Sequence, residues 1–70
     1  MILKIDRKAD ALYLSLSENK ASSSDEVSPG VIVDYDDKGR VIGIEILHIS
    51  KHTSDDNLRK LLFESAAEAY

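Results

Sequence analysis

Apolar residues near the start of the chain fall into two short runs that predict a β-hairpin. The first run covers residues 1–5, which are apolar and partly β-branched apart from Lys4. A polar connection over residues 6–10 has the length of a hairpin loop. Residues 11–16 then alternate, with leucines on one face and small or polar side chains on the other. A period of two is typical of a half-buried strand, so we expect residues 1–16 to form the first hairpin.

A second hairpin is predicted over residues 31–36 and 40–50. The turn between these strands contains Asp36, Asp37 and Gly39, and the glycine can adopt the positive φ that a bulged hairpin turn requires. The strand over residues 40–50 carries apolar side chains on both faces. A strand of this kind is expected at the centre of a sheet or covered on both sides.

The segment over residues 17–30 joins the two hairpins and has the weakest pattern. It is rich in serine and ends in the turn signal Pro29-Gly30. This composition predicts a solvated loop. A short edge strand near residues 24–27 is the alternative.

The last part of the chain has helical periodicity over residues 54–70. Ser54 is a good N-cap, and Asp55 and Asp56 fall in the first turn, where the helix dipole favours negative charge. Apolar residues then recur at helical spacing, at Leu58, Leu61, Leu62, Ala66 and Ala69. The sequence therefore predicts a single α+β domain over residues 1–70. It has a four-stranded, mainly antiparallel sheet from two hairpins (residues 1–50) and a C-terminal α-helix on one face.

Composition and charge narrow the classes of function. The chain has no cysteine, which excludes disulfides, and it carries 13 acidic against 9 basic residues, a net charge of −4. An acidic chain is a poor ligand for nucleic acid or an anionic membrane surface, and suits a basic protein partner better. The first residues lack the apolar stretch of a signal peptide, so we expect a cytoplasmic protein.

A homodimer is expected from the small size of the chain. A domain of 70 residues has a thin margin of stability. One helix cannot cover both apolar faces of the strand over residues 40–50, so a second copy would cover the remainder. The candidate interface residues are Glu45, Leu47 and Ile49.

Acidic residues around the predicted turn suggest a calcium site. Asp34, Asp36, Gly39 and Glu45 have the spacing of an EF-hand loop. However, Lys38 stands where a ligand is needed, and the flanking segments are predicted strands rather than helices. We therefore expect an ordinary acidic hairpin tip and no metal site.

The two histidines give no catalytic or metal site either. His48 and His52 are four residues apart, a spacing that suits a metal on a helix but spans about 13 Å along a strand. Ser50 lies between them without the glycine-rich loops of a nucleophilic serine. We expect no catalytic residue, no cofactor and no bound metal.

Glu45 is the charged residue with the least obvious structural role. It lies mid-strand between Ile44 and Ile46. Its carboxylate is either partly exposed or paired with a cation across an interface.

Two sequence blocks resemble a known family. The stretch Asp6–Leu14 resembles a D-x-x-A-D-A-L-Y opening, and Val33–Leu47 with Ser50 resembles a D-Y-D-x-x-G-x-(I/V)-(I/V)-G-I-E-I-L-x-x-S block. Both are typical of the small bacterial and archaeal family of unknown function DUF2283. Some of its members are encoded beside small toxin-like proteins, so the resemblance implies an antitoxin-like role. It implies no catalytic residues, and the segment over residues 54–70 lies outside both blocks.

These observations favour a non-enzymatic protein-binding module, an antitoxin-like acidic partner of a basic toxin-like protein. One alternative is a small metal-dependent or hydrolytic enzyme that uses Asp34, Asp36, Glu45 and His48. The other is a structural subunit whose role is self-assembly.

Overall fold

The computed structural model describes residues 1–67, with side chains described as far as residue 64. Over these residues the chain forms five strands, a 3-10 helix and one α-helix: β1 (Ile2–Asp6), β2 (Ala11–Ser15), β3 (Ser23–Ser28), β4 (Val31–Tyr35), β5 (Val41–Leu47), the 3-10 helix Ile49–Lys51 and α1 (Asp55–Ala67). All strand pairs are antiparallel, in the order β1-β2-β5-β4-β3. Within residues 1–67 no helix is long and apolar enough to cross a bilayer.

The α+β class, the antiparallel sheet and the C-terminal helix are confirmed, but the predicted number of four strands is wrong. The fifth strand is β3, in the segment for which a loop was the main prediction. All six of its residues are exposed, and it is held at the sheet edge by its ladder to β4. Because it buries no apolar face, its sequence carries no alternating hydrophobic signal.

The strand register divides the sheet into two faces. On the helix face, Leu14 lies between Leu3 and Ile44, and Ile44 lies beside Val33. The opposite face is called the open face because α1 does not cover it. It carries the side chains of Lys4, Tyr13, Glu45, Ile32 and Glu26 in one cross-strand row, with Asp34, Gly43 and Leu47 beside it.

The core lies at one corner of the helix face. Leu12, Ile49 and Leu58 form its buried centre, and Leu3, Ile5 and Ile46 pack against them. The predicted strand over residues 40–50 ends early, at Leu47, because His48 adopts a left-handed conformation with φ 52°. The chain then turns, and Ile49 enters the core instead of joining Glu45 and Leu47 on the open face.

The helix begins as the sequence predicts. The Ser54 hydroxyl oxygen accepts a hydrogen bond from the Asn57 N–H at 3.1 Å. Asp55 in the first turn pairs with Arg7 at 3.0 Å and with Arg59 at 3.1 Å. These pairs are exposed, so they orient the helix start more than they stabilise it. The predicted residues 68–70 lie outside the described part of the chain.

A joint between Asp10 and Ser50 connects the first hairpin to the exit from β5. The Asp10 carboxylate accepts hydrogen bonds from the Ser50 N–H at 3.1 Å and the Ser50 hydroxyl at 2.6 Å. The Asp10 carbonyl accepts a third bond from the Ile49 N–H at 2.9 Å. Asp10 itself has a positive φ of 53°, which aspartate tolerates better than most residues. The joint therefore fixes where Ile49 enters the core and where α1 begins.

We expect Ser50→Ala and Asp10→Gly to lower the melting temperature. Glycine adopts the backbone conformation of Asp10 without strain, so the second variant removes the carboxylate without adding local backbone strain. Ser22→Ala is the matched control, because Ser22 is exposed and its hydroxyl makes no hydrogen bond among the described residues. Thermal unfolding followed by circular dichroism checks the prediction. Equal melting temperatures for Ser50→Ala and Ser22→Ala would contradict it.

Candidate functional site

A hydrogen-bonded group of side chains occupies the centre of the open face. The Tyr13 hydroxyl donates to the Asp34 carboxylate at 3.1 Å, and the Ser24 hydroxyl donates to its other oxygen at 2.6 Å. To reach Asp34 from β2, the tyrosine crosses β5 at Gly43, where its hydroxyl occupies the space of a side chain. The three central strands are thus connected across this face by one tyrosine and one carboxylate.

The Tyr13 hydroxyl is held in its protonated form. Burial raises the pKa of Tyr13 above its ordinary value, and the hydrogen bond to Asp34 and the negative charges of Asp34 and Glu45 raise it further. A tyrosine in this environment is a hydrogen-bond donor rather than a nucleophile. This group therefore has a positioning role, because it holds a carboxylate and an aromatic ring in fixed places.

Glu45 lies beside this group in a shallow cavity. The cavity has a volume of about 240 Å³ and is lined by Lys4, Asp6, Ala9, Ala11, Tyr13 and Glu45. The Glu45 side chain is half-buried, yet it takes part in none of the hydrogen bonds or ion pairs found among the described residues. Its carboxylate reaches solvent and remains available to a ligand or partner.

The open face as a whole is acidic. Asp6, Glu26, Asp34 and Glu45 lie on it, against the single lysine of the same surface, Lys4. The ion pairs of the described residues use Asp36 and Asp55 and none of these four carboxylates. The carboxylates that do have partners accept from neutral donors: Asp34 from hydroxyls, Glu26 from the Gly30 N–H and Asp6 from two loop N–H groups.

The Asp36 side chain stabilises the turn between β4 and β5. It is only 2% exposed and accepts from the Lys38 N–H, the Arg40 N–H and the Arg40 guanidinium at 2.8–2.9 Å. Asp37 is exposed in the same turn, and Gly39 has the positive φ, 78°, that its position requires. The Asp36 carboxylate, one of the candidate metal ligands, is therefore occupied by hydrogen bonds within its own turn.

His48 lies in a different place from the acidic residues of the enzyme hypothesis. It lines an open groove of about 750 Å³ between the β3–β4 turn and the 3-10 helix, with His52, Lys51, Leu47 and Glu26. Asp34 and Glu45 lie on the open face, and Asp36 lies in its turn. Among the described residues, no three His, Asp or Glu side chains are grouped so that they could hold a metal ion.

Of the predicted interface residues, the structure brings Glu45 and Leu47 together on the open face and buries Ile49 in the core. Sequence reasoning missed the Tyr13–Asp34 pair and the Asp10–Ser50 joint. Each connects residues that are 21 or 40 positions apart in the chain. A sequence signal for the first existed in Gly43, an unexplained glycine in the middle of a long strand. Its meaning depends on the register that places it beside Asp34 and within reach of the Tyr13 side chain.

We expect Gly43→Ala to destabilise the protein because the new Cβ would collide with the Tyr13 hydroxyl and lie 3.0 Å from the ring carbon that bears it. The cost should be smaller in a Tyr13→Ala background, where the space is free. A double-mutant cycle by urea unfolding measures the difference, and a coupling of about 0.5–3 kcal/mol is expected for residues in contact. Additive effects would contradict the role assigned to Gly43.

The lowered pKa values of Asp36 and Asp10 predict that the protein loses stability in acid. The Arg40 backbone N–H holds the pKa of Asp36 below its ordinary value of 3.8, and the Ser50 hydroxyl does the same to the pKa of Asp10. A lowered pKa in the folded state stabilises the fold above the unfolded pKa, and this contribution is lost as the pH falls through the folded pKa. We therefore expect the free energy of unfolding to decrease as the pH falls below about 4.

Urea unfolding between about pH 2 and pH 6, the range in which carboxyl groups titrate, measures this dependence. The slope should be shallower in Asp36→Asn, which has no carboxyl to protonate at this site. Asp37→Asn, at an exposed position of the same turn, controls for the loss of one negative charge. The same shallow slope in both variants would show that the Asp36 hydrogen bonds are not the source.

Comparison with known protein families finds a match over most of the chain. The model of the family described as protein of unknown function (DUF2283) matches residues 3–50, which is more than half of the chain. No curated protein and no solved structure matches significantly. The matched segment includes the whole sheet from Leu3 onward, both partners of the Asp10–Ser50 joint and the Tyr13–Asp34 group, and it ends before α1. The chain is therefore a member of the DUF2283 family.

Proposed function

We propose that this chain is a non-enzymatic protein-binding module that binds a basic protein partner through the open face, in an antitoxin-like role. The observation that carries the proposal is Glu45. Its carboxylate is half-buried beside Tyr13 and has no cationic partner among the described residues. A lysine or arginine of a partner would supply that missing cation.

The surroundings of Glu45 have the composition of a binding surface. Tyr13, Ile32 and Leu47 provide aromatic and apolar area, and the carboxylates of Asp34 and Glu26 extend the negative charge along the sheet. Tyrosine is enriched at protein interfaces, and a positive patch on the partner would be attracted during encounter. An arginine is favoured over a lysine at Glu45, because its planar guanidinium can bind a carboxylate with two parallel hydrogen bonds.

The rigidity of the sheet supports the same proposal. The Tyr13 ring and the Asp34 carboxylate are fixed by hydrogen bonds before any partner arrives, so little side-chain entropy remains to be lost on binding. The net charge of −4 matches the expectation of a basic toxin-like partner in the cytoplasm. The antitoxin-like role also rests on the family resemblance.

The test uses a small basic protein encoded beside the gene of this chain, with binding measured by isothermal titration calorimetry at low and moderate salt. Glu45→Gln keeps the shape and removes the charge, so we expect the affinity to fall by about tenfold or more. Asp25→Asn removes the same charge from β3, but on the helix face, and we expect less than about a twofold change.

Salt dependence separates the proposal from a nonspecific charge effect. Rising salt should weaken wild-type binding and narrow the difference between wild type and Glu45→Gln, because the lost interaction is ionic. Equal losses in Glu45→Gln and Asp25→Asn would show that only net charge matters. Failure of every basic neighbour to bind would refute the proposed function.

A further inference from the structure

We infer that the part of the helix face left uncovered by α1 is the interface for a second copy of this chain. The uncovered part, called the apolar row, consists of Leu14, Ile44 and Val33 on neighbouring strands, with Leu16 at its end. This surface lies on the side of the sheet opposite Glu45. The inference is therefore independent of the proposed function.

The position of the core shows that α1 covers only one corner of the helix face. The residues that pack against the buried cluster of Leu12, Ile49 and Leu58 come from β1 and from the end of β5, namely Leu3, Ile5 and Ile46. None of the apolar row is among them. Ile44 is only half-buried although it lies on the central strand of the sheet, and Leu16 is 40% exposed.

The helix shows the same incomplete burial. Leu61 and Leu62 follow Leu58 at helical spacing and belong to the same stripe of α1. Leu58 is 7% exposed, whereas Leu61 and Leu62 are each 40% exposed. The apolar stripe of the helix and the apolar row of the sheet are thus both left partly exposed.

The amount of exposed surface fits a dimer. The chain exposes 5355 Å², whereas a folded monomer of 7.8 kDa is expected to expose about 4,400 Å². The excess of about 1,000 Å² is spread over the chain, and it is large enough to include the roughly 800 Å² that each partner contributes to a standard protein interface. No large side chain of the described residues is completely buried, which is unusual for a self-sufficient core.

Charge and shape favour a second copy on this face. Leu14, Ile44 and Val33 form an apolar band that Asp25 borders at the Val33 end. The band can pack against itself about a two-fold axis near Ile44, which places the Asp25 residues of the two copies at opposite ends. The open face is less suited to self-association, because Glu45 lies at the middle of its row and would approach its own copy with like charge. Dimerisation through the apolar row leaves the open face free.

Sedimentation equilibrium of the full chain at micromolar concentrations tests the inference. We expect a dimer for the wild type and about a tenfold or greater weakening for Val33→Lys and for Leu16→Lys, because each places two like charges in an isologous interface. Leu47→Lys is the matched control on the open face and should leave the dimer unchanged. Circular dichroism verifies that each variant is folded.

A second measurement on the wild type does not depend on the folding of a variant. Methyl signals of Leu14, Val33 and Ile44 are recorded by NMR in the presence of a soluble paramagnetic agent. We expect these methyls to be protected at concentrations where the dimer forms and broadened on dilution, with the Leu47 methyls broadened throughout. A mass of 7.8 kDa at all concentrations would overturn the inference. So would a dimer that Leu47→Lys dissociates and the other two variants do not.

Discussion

The fold depends on the hydrogen-bonded joint between Asp10 and Ser50. No large side chain of the described residues is completely buried, so the few residues of the small core must be held in a defined place. Two left-handed residues, Asp10 and His48, turn the chain on either side of that place. The three hydrogen bonds of the joint link Asp10 to Ile49 and Ser50, the residues that follow His48. Ile49 and α1 are positioned as a result.

The sequence predicted what alternation, turn chemistry and helix capping determine locally. The four strands with an apolar face, the turn at Gly39 and the Ser54 cap lie where those signals indicate. The strand β3 was predicted only as an alternative because its residues are polar and exposed, and pairing alone holds it. The end of β5 was misplaced because nothing in the local pattern indicates that His48 leaves the extended conformation.

The candidate site was harder to predict because it depends on register. Glu45 stood out in the sequence as a carboxylate in an apolar strand, and it proved to be half-buried on the open face. Its neighbours were not foreseen, since Tyr13 and Asp34 meet only when β2, β5 and β4 are paired in one register. Most of the family blocks thereby receive a structural account: Asp10 and Ser50 hold the joint, Tyr13, Gly43 and Asp34 connect strands, and Asp36 and Gly39 form a turn. Glu45 is a member of those blocks without such a role.

The central position of β5 has a consequence for how the protein is made. The hairpins β1–β2 and β3–β4 form from adjacent segments, but among the described strands only β5, the last of the five, pairs with both of them. Isolated two-stranded hairpins are marginally stable in water. A nascent chain that has emerged as far as residue 40 therefore has two separate hairpins and no sheet. Formation of the sheet on the ribosome must wait until β5 has emerged, and its rate is governed by the long-range closure that β5 completes.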